Sequence, residues 1–201
     1  MARKDPAQWS DSYRKRIESK FAKNPDISLA EARGHKPKAP AKEAKDSVKL
    51  AYNLREKAGN IRLRERLGKI EPDRAKEADK ILKDMLKQAK QLDKIEGKVV
   101  GFSSLEWELK SQQIKEKEII LKAVTGDIDL READTARSII NEMQVLTESM
   151  WDLVPPGGKV PASTAKYDSI QDRLRELYRQ LEELGLVNRT GDITKGDIGY
   201  H

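Results

Sequence analysis

The chain has 201 residues, 37% of them charged, and a formal net charge of +6. Leu, Ile, Val and Phe supply 44 positions, barely above the roughly 20% below which chains stay disordered, so any core must be thin and built from one-sided helices. Cysteine is absent, which excludes disulfides and thiolate metal sites, and no run of about 18 apolar residues is present to cross a membrane.

The leader MARKDPAQWSDSYRKR has no apolar segment of the kind a secretory signal needs. The expectation is therefore a soluble, cytoplasmic protein. A helix is predicted from Ser10, because Tyr13, Ile17 and Phe21 recur at i, i+4 and i+8, and Asn24-Pro25 ends it. Ser28-Leu-Ala-Glu31 has the form of a capping box, with Gly34 as its C-terminal stop. Two short helices thus fill residues 10–34, and Trp9, Tyr13, Ile17, Phe21, Ile27 and Leu29 are candidates for a miniature core. Pro37 and Pro40 disfavour helix before them, so residues 1–41 are read as a small basic helical module and its linker.

Residues 42–153 are predicted as a helical body of four long helices. The first starts near Lys42 and reaches about Leu67, with Gly59 weakening it by about 1 kcal/mol relative to Ala. The second begins at Pro72, which suits a first helical turn, and runs to Gly97 on the face Ala75, Ala78, Ile81, Leu82, Met85, Ala89, Leu92 and Ile95. GKVVGF is read as an extended connection. Ser103-Ser-Leu-Glu106 is read as a second capping box, opening a helix that carries Leu105, Leu109, Ile114, Ile120 and Leu121 to Gly126. Asp129 caps the fourth, whose face is Ala133, Ala136, Ile140, Met143, Leu146, Met150 and Leu153. Pro155-Pro156-Gly157-Gly158 ends it.

A linker at 154–166 leads to a heptad helix at 167–186 and a flexible tail at 187–201. Tyr167, Ile170, Leu174, Leu177, Leu181 and Leu184 alternate steps of three and four, the spacing of a coiled-coil seam. Such a seam associates with a second copy or a partner helix, or packs within the monomer. The fold class is all-α: an elongated antiparallel helical bundle with coiled-coil character and a basic N-terminal module.

Catalytic and metal signatures are absent. Gly158-Lys159 lacks the upstream glycine and following hydroxyl of a phosphate-binding loop. Asp127, Asp129, Glu132 and Asp134 lack the glycine turn and distal glutamate of a calcium loop, and helix capping already explains two of them. His35 and His201 have no second ligand at metal spacing and no cysteine to activate. No cofactor, no metal and no enzymatic activity are expected.

Charge is divided unevenly: residues 1–70 hold 19 Lys and Arg against 9 Asp and Glu, and the remainder holds 21 against 25. A basic front and a mildly acidic rear assign the front to a polyanion and the rear to protein contact. Arg14, Lys15, Arg16, Lys20, Arg33, His35, Lys36, Lys38, Arg62, Arg64 and Arg66 are the candidate nucleic-acid-binding residues. Phosphate contacts of this kind supply affinity and salt dependence without sequence reading. Few large apolar residues back the basic helices, which disfavours an anionic membrane surface.

The pattern Trp9-x3-Tyr13-x2-Arg16-Ile17 followed by Leu29-x2-Ala32-Arg33-Gly34-His35 resembles an N-terminal cassette of small basic proteins encoded by phages and related mobile elements. It covers about 30 of the 201 residues. The layout is also similar to that of phage terminase small subunits: a basic DNA-binding module, central oligomerising helices and a partner-binding C-terminal segment. That resemblance implies recognition of viral DNA and its delivery to a packaging motor. Two functional expectations result. One is a non-enzymatic nucleic-acid-binding protein that takes DNA before RNA, possessing a small-terminase-like adaptor role. The other is a scaffolding coiled-coil protein whose lysines are merely solvated.

Overall fold

Helix ends fall where the chain chemistry places them. The computed structural model describes residues 9–35, 38–41, 44–95, 102–153 and 165–186, and all of its regular structure is helical: α1 (Asp11–Lys23), α2 (Leu29–Ala32), α3 (Asp46–Arg66), α4 (Pro72–Ile95), α5 (Phe102–Thr125), α6 (Leu130–Trp151) and α7 (Ala165–Glu183). The Ser10 and Ser28 hydroxyls accept from the amides of Tyr13 and Glu31. Asp129 and Glu132 close a reciprocal capping box, which satisfies two amides that a helix start otherwise leaves bare. The expectation at Ser103 is corrected: α5 already begins at Phe102, which puts Ser103 inside the first turn and turns the end of GKVVGF helical. Residues 97–101 of that connection, residues 154–164 of the linker expected at 154–166 and the 187–201 tail lie outside the described residues, and Ala165 and Lys166 at the end of that linker already belong to α7.

Consecutive long helices pack on one another as antiparallel pairs. Ser47 Oγ at the start of α3 donates to Asp93 at the end of α4 (3.3 Å), and Arg62 near the end of α3 reaches Asp79 near the start of α4 (3.3 Å). Helices α3 and α5 run parallel instead, because both lie against α4. Lys57 pairs with Glu118, and seven residues later Arg64 meets the carbonyl of Thr125 at 2.8 Å.

Two apolar cores share α5. Leu50, Leu54 and Ile61 of α3 bury with the α4 stripe against Ile114 and Leu121 of α5. Leu105 and Ile119, on another side of α5, bury with Ala136, Ile140 and Met143 of α6 and with α7. A helix covered on both sides needs no single stripe, which is why Leu109 and Ile120 are only half-buried while Ile119 is buried. Between the cores α5 encloses Glu108, Ser111, Gln112, Lys115 and Glu118. Gln112 Nε2 donates to Glu108 (3.1 Å) and to Thr147 Oγ1 of α6 (2.9 Å), Tyr178 of α7 donates to Glu108 (2.5 Å), and Lys115 Nζ lies 4.3 Å from the Tyr178 ring centroid. Buried polar groups of this kind persist only with partners, and here they tie three helices together.

The α7 seam is taken up inside this arrangement. Tyr167, Ile170, Leu174, Leu177 and Leu181 are all buried in the core shared with α5 and α6, and Leu184 packs on its edge. Of the openings left for the seam, the described residues show packing within the chain, with its apolar side covered by α5 and α6.

Candidate nucleic-acid interface

The N-terminal module is fastened to the C-terminal half of α3. Ile17, Ile27, Leu29 and Ala32 bury with Leu63 and Leu67, and Trp9, Tyr13 and Phe21 pack around them. The miniature core expected for the module therefore exists, completed by Leu63 of α3 and by its C-cap Leu67. Asn60 donates to the carbonyls of Pro25 (2.6 Å) and Ile27 (3.0 Å), locking the α1–α2 turn onto α3. Lys20 Nζ donates to the Ala32 carbonyl (2.9 Å) and holds α1 against the end of α2.

This docking gathers arginines from three places. Trp9 meets Tyr13 edge to face, with ring centroids 5.2 Å apart at 84°. Arg33, the C-cap of α2, and Arg66, the last residue of α3, place their guanidinium carbons 5.8 Å and 5.9 Å from the Trp9 ring centroid. Arg16 stands 5.0 Å from the Tyr13 ring. Cations over aromatic faces are attracted by the ring quadrupole, so these side chains are held while keeping their charge uncancelled by the ring. Arg33 Nε is buried with no hydrogen-bond partner among the described residues. Nothing local in the sequence pairs Arg66 with Trp9; only the fold does.

The remaining candidates divide. Lys15, His35 and Lys38 are exposed, and their side chains form no ion pair with a described residue; Lys36 lies outside the described residues. Arg14 is engaged by Glu18 at 3.1 Å. Arg62 is engaged by Asp79, whose carboxyl is held below its ordinary value of 3.8 by hydrogen bonds from Lys83 first and Arg62 second. Arg64 is turned away altogether: it pairs with Asp127 at 3.0 Å, and its side chain is only 18% exposed.

Arg64 also lines a cavity of about 950 Å³ between α3 and α5, floored by Leu50, Leu54, Ile61 and Leu121. Lys57, Arg64, Lys69 and Lys122 are matched around it by Asp26, Glu56, Glu118 and Asp127. A rim balanced in charge has no field to attract a polyanion. The exposed acidic turn is engaged by its own chain: Asp127 holds Arg64 and accepts from Thr125 Oγ1 (2.6 Å), while Asp129 and Glu132 cap α6. Among the described residues no group of three or more His, Asp or Glu is placed to hold a metal ion, and no helix is long and apolar enough to cross a membrane. Gly158-Lys159 and His201 lie outside the described residues.

No family model, curated protein or solved structure matches the chain.

Proposed function

We propose that the chain is a non-enzymatic nucleic-acid-binding protein whose N-terminal module contacts the phosphate backbone. The observation that carries it is the convergence of Arg16, Arg33 and Arg66 on the Tyr13–Trp9 pair, beside exposed Lys15 and Lys38. The excess of cations in residues 1–70 supports the same assignment. The interface is narrower than the charge count implies, because Arg14, Arg62 and Arg64 already have carboxylate partners. DNA is preferred to RNA on the resemblance of residues 9–35 to the phage cassette. The likeness of the overall layout to phage terminase small subunits favours an adaptor that hands DNA to a packaging motor, through a protein-binding surface other than the α7 seam. The scaffolding alternative drew its motive from that seam, and with the seam covered inside the chain no observation now favours it.

A titration of labelled DNA at two salt concentrations is the test. Binding that weakens steeply with salt supports the proposal, since each neutralised phosphate contributes about −0.9 to the slope of log K against log salt on duplex DNA. No binding at low salt, or binding indifferent to salt, removes it.

A further inference from the structure

We infer that the outer face of α4 is a second phosphate-binding surface, a line of six lysines that seats the backbone of a DNA duplex. It extends the nucleic-acid reading above from the N-terminal module to the helical body.

Lys76, Lys80, Lys83, Lys87, Lys90 and Lys94 follow one another at alternating steps of four and three. At 100° and 1.5 Å per residue they fall within about 40° of one line and span about 27 Å. All of them are exposed, opposite the stripe that α4 buries. The net charge of residues 71–201 conceals them, because a sum over a segment averages over its faces. A face that is merely solvated is built differently in this chain. On α7, Arg175 pairs with Asp172, and Arg179 with Glu176 and Glu183, so that neighbours of opposite sign satisfy each other. On α4 each neighbour along the line is another cation, an arrangement that destabilises a helix until an anion covers it.

The carboxylates of α4 do little to relieve this repulsion. Asp84 and Asp93 point to the sides, where Lys117 of α5 engages the first and Lys45 and Ser47 of α3 engage the second. Asp73 meets Lys76, and Asp79 is shared between Lys83 and Arg62, yet the two lysine side chains stay 74% and 72% exposed. Pairs so open to water are worth little. Lys87 acts on Asp84 only as a neighbouring charge, and Glu77 lies about 100° from the line. Lys80, Lys90 and Lys94 form no ion pair with a described residue. A DNA duplex carries one phosphate per about 1.7 Å of its axis, so about 27 Å of it offers about 16. Lysine heads are compact point charges on long stems, suited to contacts that position a backbone without reading its bases. Helix α4 has no aromatic residue on which a base could stack. Its Ile81 and Leu86 pack on the core, which leaves the line without the apolar flank that a membrane surface requires.

The experiment titrates the full chain with a labelled DNA duplex of mixed sequence at several salt concentrations, and with vesicles of phosphatidylserine. The test variant carries Lys80→Gln, Lys90→Gln and Lys94→Gln, changes that alter helix propensity little and are expected to leave the thermal midpoint in place. A control variant carries Lys122→Gln, Arg131→Gln and Lys166→Gln, which removes the same charge from α5, α6 and α7. The test variant is expected to lower the salt slope by about three units, one for each lysine, and the control to keep the wild-type slope. A test-variant slope equal to wild type, or an equal fall in both variants, overturns the inference while leaving nucleic-acid binding intact. A wild-type chain that fails to bind the duplex at low salt, whether or not it binds the vesicles, overturns the inference and the reading it extends.

Discussion

Gly59 in the middle of α3 lies directly beneath Ser28, the N-cap of α2: a Cβ at position 59 would stand 2.9 Å from the Ser28 Cβ and 3.5 Å from the Leu29 amide. A mid-helix glycine ordinarily costs about 1 kcal/mol against alanine, so Gly59→Ala would stabilise an isolated helix. Here the new methyl meets a Cβ fixed to backbone, with no flexible side-chain end able to yield. Overpacking of this kind costs about 1–3 kcal/mol, and the clash outweighs the propensity gain. Gly59→Ala is expected to lower the thermal midpoint and to speed amide exchange at Leu29–Ala32 more than in α6. A raised midpoint with unchanged exchange would show that the module is not seated on α3 in this way.

How much of this was legible depended on how many sides of a helix are covered. Helix α4 buries one stripe, and its Ala75-to-Ile95 pattern in the sequence is the buried set in the structure apart from Ile81, which is half-buried. Helix α7 behaves likewise, although its seam spacing could not say whether the covering helix belongs to the same chain. Helix α5 is less legible, because cores on both sides erase the single period and Gln112 and Lys115 are buried polar residues that periodicity assigns to solvent. The arginines of α3 show the same limit. At 100° per residue, Arg64 points about 200° away from Arg62, so a run of basic residues that looked like one surface is divided between Asp79, Asp127 and Trp9.

Leu177 is 1% exposed in the core that joins α7 to α6 and α5. Truncating such a side chain removes its transfer free energy and leaves a cavity, typically about 2–5 kcal/mol for leucine to alanine. Leu177→Ala is therefore expected to lose about 3 kcal/mol in urea unfolding while the mass by light scattering stays that of the wild type. A drop in mass with little loss of monomer stability would instead make the seam an interface between chains.

The hydroxyl of Tyr178 donates to Glu108, whose other donor is Gln112. A hydrogen bond to a charged group contributes about 1.5–3 kcal/mol, and its loss leaves a carboxylate less satisfied in a dry site. Tyr178→Phe is expected to cost about 2 kcal/mol, and the same change made in a Glu108→Gln background to cost distinctly less. Additive losses in this double-mutant cycle would mean that the two side chains do not act as a pair.

The ion pairs between helices make a pH prediction with a definite sign. The hydrogen bond from Lys117 on α5 holds the Asp84 carboxyl of α4 below its ordinary value of 3.8. Because the folded value is the lower one, the stabilisation is complete above about pH 4 and disappears as pH falls through the folded value. The thermal midpoint of the wild type should then decline more steeply below about pH 4 than that of Asp84→Asn. Parallel acid branches would remove Asp84 from the set of residues responsible.

The division of the cations into engaged and available ones gives the sharpest functional contrast. Arg62 and Arg64 together bridge α3 to Asp79 of α4 and to the turn after α5, so replacing both with glutamine removes two positive charges from the basic half without touching the cluster at Trp9. Replacing Arg16 and Arg33 with glutamine removes the same charge from over the rings of Tyr13 and Trp9. If net charge alone governed binding, the two double variants would weaken DNA binding equally. If position governs it, Arg16→Gln with Arg33→Gln lowers the salt slope by about two units, whereas Arg62→Gln with Arg64→Gln leaves the slope at the wild-type value and lowers the thermal midpoint instead. Equal loss of affinity in both variants would assign the charge asymmetry to a diffuse field and deny the module any local role.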